Sequence, residues 1–259
     1  MKTLLLANQI GGVGKSAIAC QLAHYLTDKR GKRVLVIDLD HQANTTKALR
    51  GSGEVSVSNT AAAASLSEKG ASVEDAPFVL MPATDELRKL EKQPASHNLF
   101  ASNFKQFIGS IDDQFDVCIL DTNPFPDIRV IASMIAAGFI VSPIQLNQEA
   151  IDGIGSLIQD VKRIVASLNP DLRLIGILPN QVQPTPFQKN NFAELSAHFG
   201  KLLIRTGDDQ FAAIKTSTAI AEAQAAGQPV WKLGKTSARE IWRDMEPTFE
   251  KITSEMGIE

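Results

Sequence analysis

The residues most specific in their chemistry run consecutively: Gly11-Gly12-Val13-Gly14-Lys15-Ser16. Glycines let a backbone curl so that successive N–H groups face one point, which suits phosphate oxygens. A lysine at the end of such a curl reaches β- and γ-phosphates, and the hydroxyl after it ligates Mg²⁺. A helix beginning there adds its N-terminal dipole, with Ala17 in the first turn. The segment therefore predicts a nucleotide site built from Gly11, Gly12, Val13, Gly14, Lys15, Ser16 and Ala17, with ATP and Mg²⁺ as cofactors. Three carboxylates could complete it. Asp38 and Asp40 follow the run Arg-Val-Leu-Val-Ile, and Asp121 closes Asp-Val-Cys-Ile-Leu-Asp. At strand ends beside a phosphate loop, such groups hold a metal ion or its waters. Capping of a turn is the plainer alternative for Asp38 and Asp40.

These groups need elements to bring them together. Short apolar, β-branched runs predict strands at 3–7, 33–38, 78–81, 116–121, 139–143, 172–179 and 201–204. A helix is expected over 16–29. Another follows from Ile151, Ile154, Ile158, Val161, Val165 and Leu168, whose spacing marks one helical face. Ile241, Met245, Phe249, Ile252 and Met256 recur in the same way and predict a docked C-terminal helix over 237–256. Strand–helix alternation argues for an α/β chain with a mostly parallel, twisted sheet flanked by helices on both faces. No repeat or linker divides residues 1–259, so one domain is expected. Residues 51–70, rich in Ser, Ala and Gly, read as a mobile loop or a small helical excursion.

Composition excludes several classes. The chain has 259 residues, of which 44% are hydrophobic, 21% charged and 6% aromatic. A platform of aromatics for base stacking is therefore not expected. The net charge of −3 excludes a uniformly basic DNA-coating protein, though not a local basic patch. Cys20 and Cys118 are too few for a disulfide framework and suit a reducing cytosol. His24, His41, His97 and His198 show no ligand spacing, so no structural metal is expected. No apolar run is long enough for a membrane span.

The glycine loop departs from ordinary spacing: Gln9 stands where an ordinary phosphate loop has its first glycine. The adjacent glycines instead resemble the deviant Walker A loop of the ParA/MinD family, K-G-G-x-G-K-[ST]. Residues 34–46 resemble the family's strand followed by D-x-D-P-Q-x-N through Asp38, Asp40, Gln42 and Asn44, with His41 in place of proline. Residues 116–124 resemble its strand followed by D-T-x-P, with Asp121 as the Walker B carboxylate. Residues 145–155 and 227–230 are similar too, so the resemblance covers most of the chain. It is nearest to short plasmid-partition ATPases without an N-terminal helix-turn-helix domain.

This resemblance implies a P-loop NTPase fold and an ATPase, which Ile10, before the paired glycines, is expected to make slow. Lys15 and Asp40 would be catalytic, with Asp40 positioning or deprotonating the attacking water; Ser16, Asp38 and Asp121 would serve Mg²⁺. Asn180 would contact adenine, a turn-forming role being its alternative, and Pro229 and Val230 would pack near the base. A homodimer when ATP is bound, non-specific double-stranded DNA and a ParB-like partner that stimulates hydrolysis are the implied partners. The implied location is cytoplasmic and nucleoid-associated. DNA contacts fall to Lys232, Lys235, Arg239 and Arg243, extended by Arg205 and Lys215. MinD-like membrane binding is not expected, because the tail from Asp244 is acidic.

One departure matters for rate. The family's signature lysine, which crosses the dimer to the partner's phosphates, is Ile10 here. Arg129 and Lys47 are the cations that could substitute. Two alternatives therefore stay open: a nucleotide-dependent positioning module with little hydrolysis, and a metabolic ATP-dependent ligase on the same fold.

Overall fold

Alternation decides which way each strand side chain points. In β1 (Lys2–Leu6), Leu4 and Leu6 enter the core on one face and Leu5 enters that on the other. The same alternation sorts Val34 and Val36 from Leu35 and Ile37 in β2 (Val34–Asp38), and Val117 and Ile119 from Cys118 and Leu120 in β5 (Val117–Asp121). Strands buried on both faces must be covered on both, which gives the layered architecture. The computed structural model describes residues 1–208 and 210–259.

Among the described residues the sheet has eight strands, all parallel, in the order β3-β4-β2-β5-β1-β6-β7-β8. The others are β3 (Ser56–Val57), β4 (Phe78–Met81), β6 (Phe139–Ile144), β7 (Arg173–Val182) and β8 (Ile214–Lys215). One face carries α1 (Lys15–Asp28), α2 (Asn44–Arg50), α9 (Thr218–Ala225) and α10 (Thr236–Glu255). The other carries α3 (Ala64–Ser67), α4 (Leu87–Glu91), α5 (His97–Ser110), α6 (Ile128–Ala136) and part of α7 (Gln148–Ser167). A third apolar cluster joins the start of α7 to α8 (Pro186–Phe199) and takes in Ile10. The result is a single-domain α/β fold with a parallel sheet between helical layers.

Several expectations need correction. Residues 201–204 are not a strand: Leu203 makes only an isolated bridge to Ile177, and the last strand is the two-residue β8. Segment 51–70 holds both the edge strand β3 and the helix α3. The buried stripe of α7 is Ile151, Ile154, Leu157, Val161 and Ile164, whereas Leu168 is 49% exposed beyond the helix end. All five apolar residues named for the C-terminal helix are buried, and Trp242 of α10 lies 4.3 Å from Trp231 in the short helix Val230–Lys232.

Candidate nucleotide site

Parallel strands put all their carboxyl ends on one edge, and there the loops after β1, β2 and β5 meet. Asp38 and Asp121 are register partners at the ends of β2 and β5, and Leu6 of β1 is the partner of Asp121 on its other side. The glycine loop leaves β1 and enters α1. Gly12 (φ 77°) and Gly14 (φ 89°) lie in the left-handed region, and a Cβ on Gly14 would also strike the Asn180 amide. Gly14 caps α1 without a side-chain hydrogen bond, which leaves the first-turn N–H groups to an external acceptor.

The loop opens onto a cavity of about 730 Å³, lined by all of residues 11–18 together with Asp40, Lys47, Asn180, Gln181, Lys215 and others. Lys15 is buried, its ammonium donating to the Asn8 carbonyl at 3.3 Å and the Ile10 carbonyl at 3.5 Å. Burial lowers its pKa, opposed by the charges of Asp121 and Asp40.

The carboxylates differ in what holds them. Asp121 accepts from the Thr45 hydroxyl through Oδ2 at 2.7 Å, while its buried Oδ1 has no hydrogen-bond partner among the described residues. Asp38 is fully engaged: Oδ2 accepts from the Thr46 amide at 2.7 Å and hydroxyl at 2.6 Å, and Oδ1 from the Asp40 amide at 3.1 Å. Burial, with each carboxylate's acidic surroundings adding to it, raises the pKa of both. A buried oxygen without a partner, on a carboxylate that Ser16 also approaches, fits a divalent cation, which would relieve both its desolvation and its missing partner. Asp40 accepts from the Gln42 amide at 3.0 Å through Oδ1, and among the described residues no group donates to its Oδ2.

Two glutamines and the threonine pair were not expected from the sequence. Gln145 and Gln181 both donate to the Gly12 carbonyl, at 3.2 and 3.0 Å, and Gln145 also donates to Gln181. They hold the outer curl of the loop from β6 and β7. Thr45 and Thr46, at the start of α2, each fix one carboxylate.

The remaining expected residues separate. Asn180 is buried and donates to the Val13 carbonyl at 2.8 Å, at the cavity wall. Pro229 and Val230 do not line the cavity. Val230 is buried in the core below α1, and its amide donates to Gln21 at 2.7 Å. Lys215 lines the nucleotide cavity itself and pairs with Asp244 of α10 at 3.1 Å. Lys232 is held by Asp28 and Glu54, both at 2.9 Å, and Lys235 by Glu222. Glu54 and Asp28 also cluster with His24, but the Lys232 ammonium already supplies the cation there. Arg205 lies over the Phe211 ring at 4.2 Å. Arg239 and Arg243 are exposed and make no ion pair among the described residues. Among the described residues the basic segment is thus reduced to two arginines free of ion pairs, on one face of α10.

Ile10 is half-buried and packs on α7, where a Cβ on Gly153 would sit 3.6 Å from its Cδ1. Arg129 is buried and bound to Asp127, so it is not free to act on a second molecule; Lys47 is exposed at the cavity with its ammonium on the Gln42 carbonyl at 2.9 Å.

The chain resembles known proteins along its length. A family model described as an AAA domain matches residues 1–174. Protein IncC of Escherichia coli is 31% identical over 269 residues, covering 100% of this chain and 71% of that protein. The chromosome-partitioning ATPase Soj of Thermus thermophilus is 32% identical over 238 residues, covering 92% and 90%. Among solved structures, an ATP complex of a Cyanothece McdA variant superposes with a TM-score of 0.79 at 22% identity, over 100% of this chain and 97% of that one. Among the described residues no helix is long and apolar enough to cross a membrane.

Proposed function

Since the chain belongs to the ParA family of ATPases, we propose that it binds ATP with Mg²⁺, dimerises in that state, and hydrolyses ATP slowly in the partition of DNA. The observation that carries this reading is the convergence of Lys15, Ser16, Asp121 and Asp40 on the carboxyl edge of the sheet. The loop N–H groups and Lys15 would neutralise the phosphates, and Ser16 with the bare oxygen of Asp121 would hold Mg²⁺. The ion supplies charge neutralisation at the transferring phosphoryl group. Asp38, whose oxygens are already engaged, supports the loop and would reach the metal through water. Asp40, with Oδ2 unclaimed among the described residues, orients the attacking water and takes its proton.

In the same reading, Arg239 and Arg243 of the dimer contact DNA phosphates without reading sequence, and a ParB-like partner accelerates hydrolysis and release. ATP-dependent retention on random duplex DNA tests this, together with the ATP-dependent mass in solution. A monomer that ignores DNA with ATP·Mg²⁺ present would favour a metabolic ligase on the same fold. The packing of Ile10 onto α7 and the engagement of Arg129 favour one second reading: a nucleotide-dependent binding module with almost no turnover. Hydrolysis with and without the cognate partner separates the two.

A further inference from the structure

Arg129 is a buried cation with more bonds than its local pair requires. Asp127 caps α6 by accepting from the Arg129 amide at 3.0 Å, and its other oxygen takes the Arg129 Nε at 3.0 Å and the second guanidinium nitrogen as well. Those bonds would suffice to neutralise the charge. Yet the third nitrogen crosses to the loop after β2, donating to the Leu39 carbonyl at 3.5 Å and standing 3.1 Å from His41 Nδ1. A guanidinium can only donate, so His41 Nδ1 must be the acceptor; the ring proton then sits on Nε2, and the Gln42 amide 3.1 Å from it must turn its oxygen to that side to accept. The same Nδ1 lies 3.7 Å from Asp40 Oδ1 and has no proton to give it, so the link from His41 to Asp40 is the backbone they share. On the other side, Asn123 donates to Asp127 Oδ2 at 3.0 Å, two residues beyond Asp121. A chain Asn123–Asp127–Arg129–His41 therefore ties the loop bearing Asp121 to the loop bearing Asp40.

Buried ion pairs contribute little net stability, and their better-supported use is to fix one arrangement among several. Here the arrangement fixed is the approach of the two acidic loops. We propose that Arg129 and His41 are positioning residues for Asp40, setting its orientation toward the attacking water without touching nucleotide. Neither lines the nucleotide cavity, whereas Asp40 does. The proposal rests on the reading of Asp40 as the group that orients water.

Single-turnover hydrolysis, ATP·Mg²⁺ affinity and thermal melting of His41→Leu, His41→Asn and Arg129→Gln test it, with Asp40→Ala alongside. His41→Leu and Arg129→Gln should slow the chemical step by about tenfold to a hundredfold, the range that misplacement of a catalytic group produces. Nucleotide affinity should stay within about twofold of wild type, because the phosphate loop is untouched. His41→Asn should keep most of the rate, since its amide oxygen can accept from Arg129 as Nδ1 does. His41 is partly exposed, so its variants carry the test if Arg129→Gln does not fold. Wild-type turnover in His41→Leu, or equal losses in His41→Asn and His41→Leu, or affinity falling in step with rate, would overturn the proposal. Turnover that survives Asp40→Ala, or is absent from the wild type, would instead overturn the reading of Asp40.

Discussion

Thr45 donates its hydroxyl to Asp121 at 2.7 Å across the junction of α2 and β5, and leaves the other carboxylate oxygen bare. The bond holds the buried carboxylate in one orientation. Thr45→Val keeps the shape and removes the donor. It should cost about 1–3 kcal/mol of stability by orphaning a buried acceptor. Mg²⁺-dependent ATP affinity should weaken by about tenfold or more, as is usual when the group holding a metal ligand is lost. Thermal melts and Mg²⁺ titrations of ATP binding measure the two effects; unchanged metal dependence would mean that Asp121 needs no orienting partner.

The acidic pair makes the metal-free protein sensitive to pH in an unusual direction. Burial pushes the Asp38 carboxyl up to about 7 and raises Asp121 as well. A carboxyl raised in the folded state holds its proton where the unfolded chain has lost it. Stability from this pair is therefore greatest at low pH and falls as pH rises from about 4 to about 7. Without Mg²⁺ and nucleotide, Asp38→Asn should flatten the dependence of Tm on pH across that window. An identical slope in the variant would show that Asp38 ionises normally.

Ile10 offers a test of rate limitation. Ile10→Lys gives up apolar contact with α7 and should lower stability by about 1 kcal/mol, since only part of the side chain is buried. If a cation reaching the partner's phosphates is what the chain lacks, ATP turnover should rise severalfold. Equal turnover in the two proteins would show that Ile10 does not limit hydrolysis.

The basic residues near α10 should not contribute equally to DNA binding. Arg239→Ala and Arg243→Ala should each reduce the slope of log affinity against log salt by about 1, because each free guanidinium displaces one counterion. Lys235→Ala should change it less, because that ammonium is already committed to Glu222. Equal effects from all three would mean that the ion pair opens on DNA.

The phosphate loop was legible because its function depends on local backbone freedom, and glycine records that directly. The strands that build the site were legible as apolar runs, and the acids could be placed at their ends. Contacts made by distant residues left no such trace. Thr45 and Thr46 read as ordinary residues of a short helix until β5 and β4 are brought beside them, and Gln145 and Gln181 reach Gly12 across more than 130 positions. Strand β8 has two residues, too few for any periodicity to mark it. On α7 the choice between Ile158 and Leu157, or Val165 and Ile164, is a rotation of one residue, which an all-apolar neighbourhood conceals. The charges of Lys232 and Lys235 were visible, but not the acids that occupy them.

The pairing of Trp231 with Trp242 gives the molecule a built-in optical reporter. They are its only tryptophans, and one sits on α10 between Arg239 and Arg243 while the other sits on the segment that α10 packs against. Their emission thus has a single origin, at the joint between that segment and the arginine-bearing helix. The Asp244 partner Lys215 places the far side of the same helix at the nucleotide cavity. A change in tryptophan fluorescence on adding ATP would be movement of this helix, read without any label.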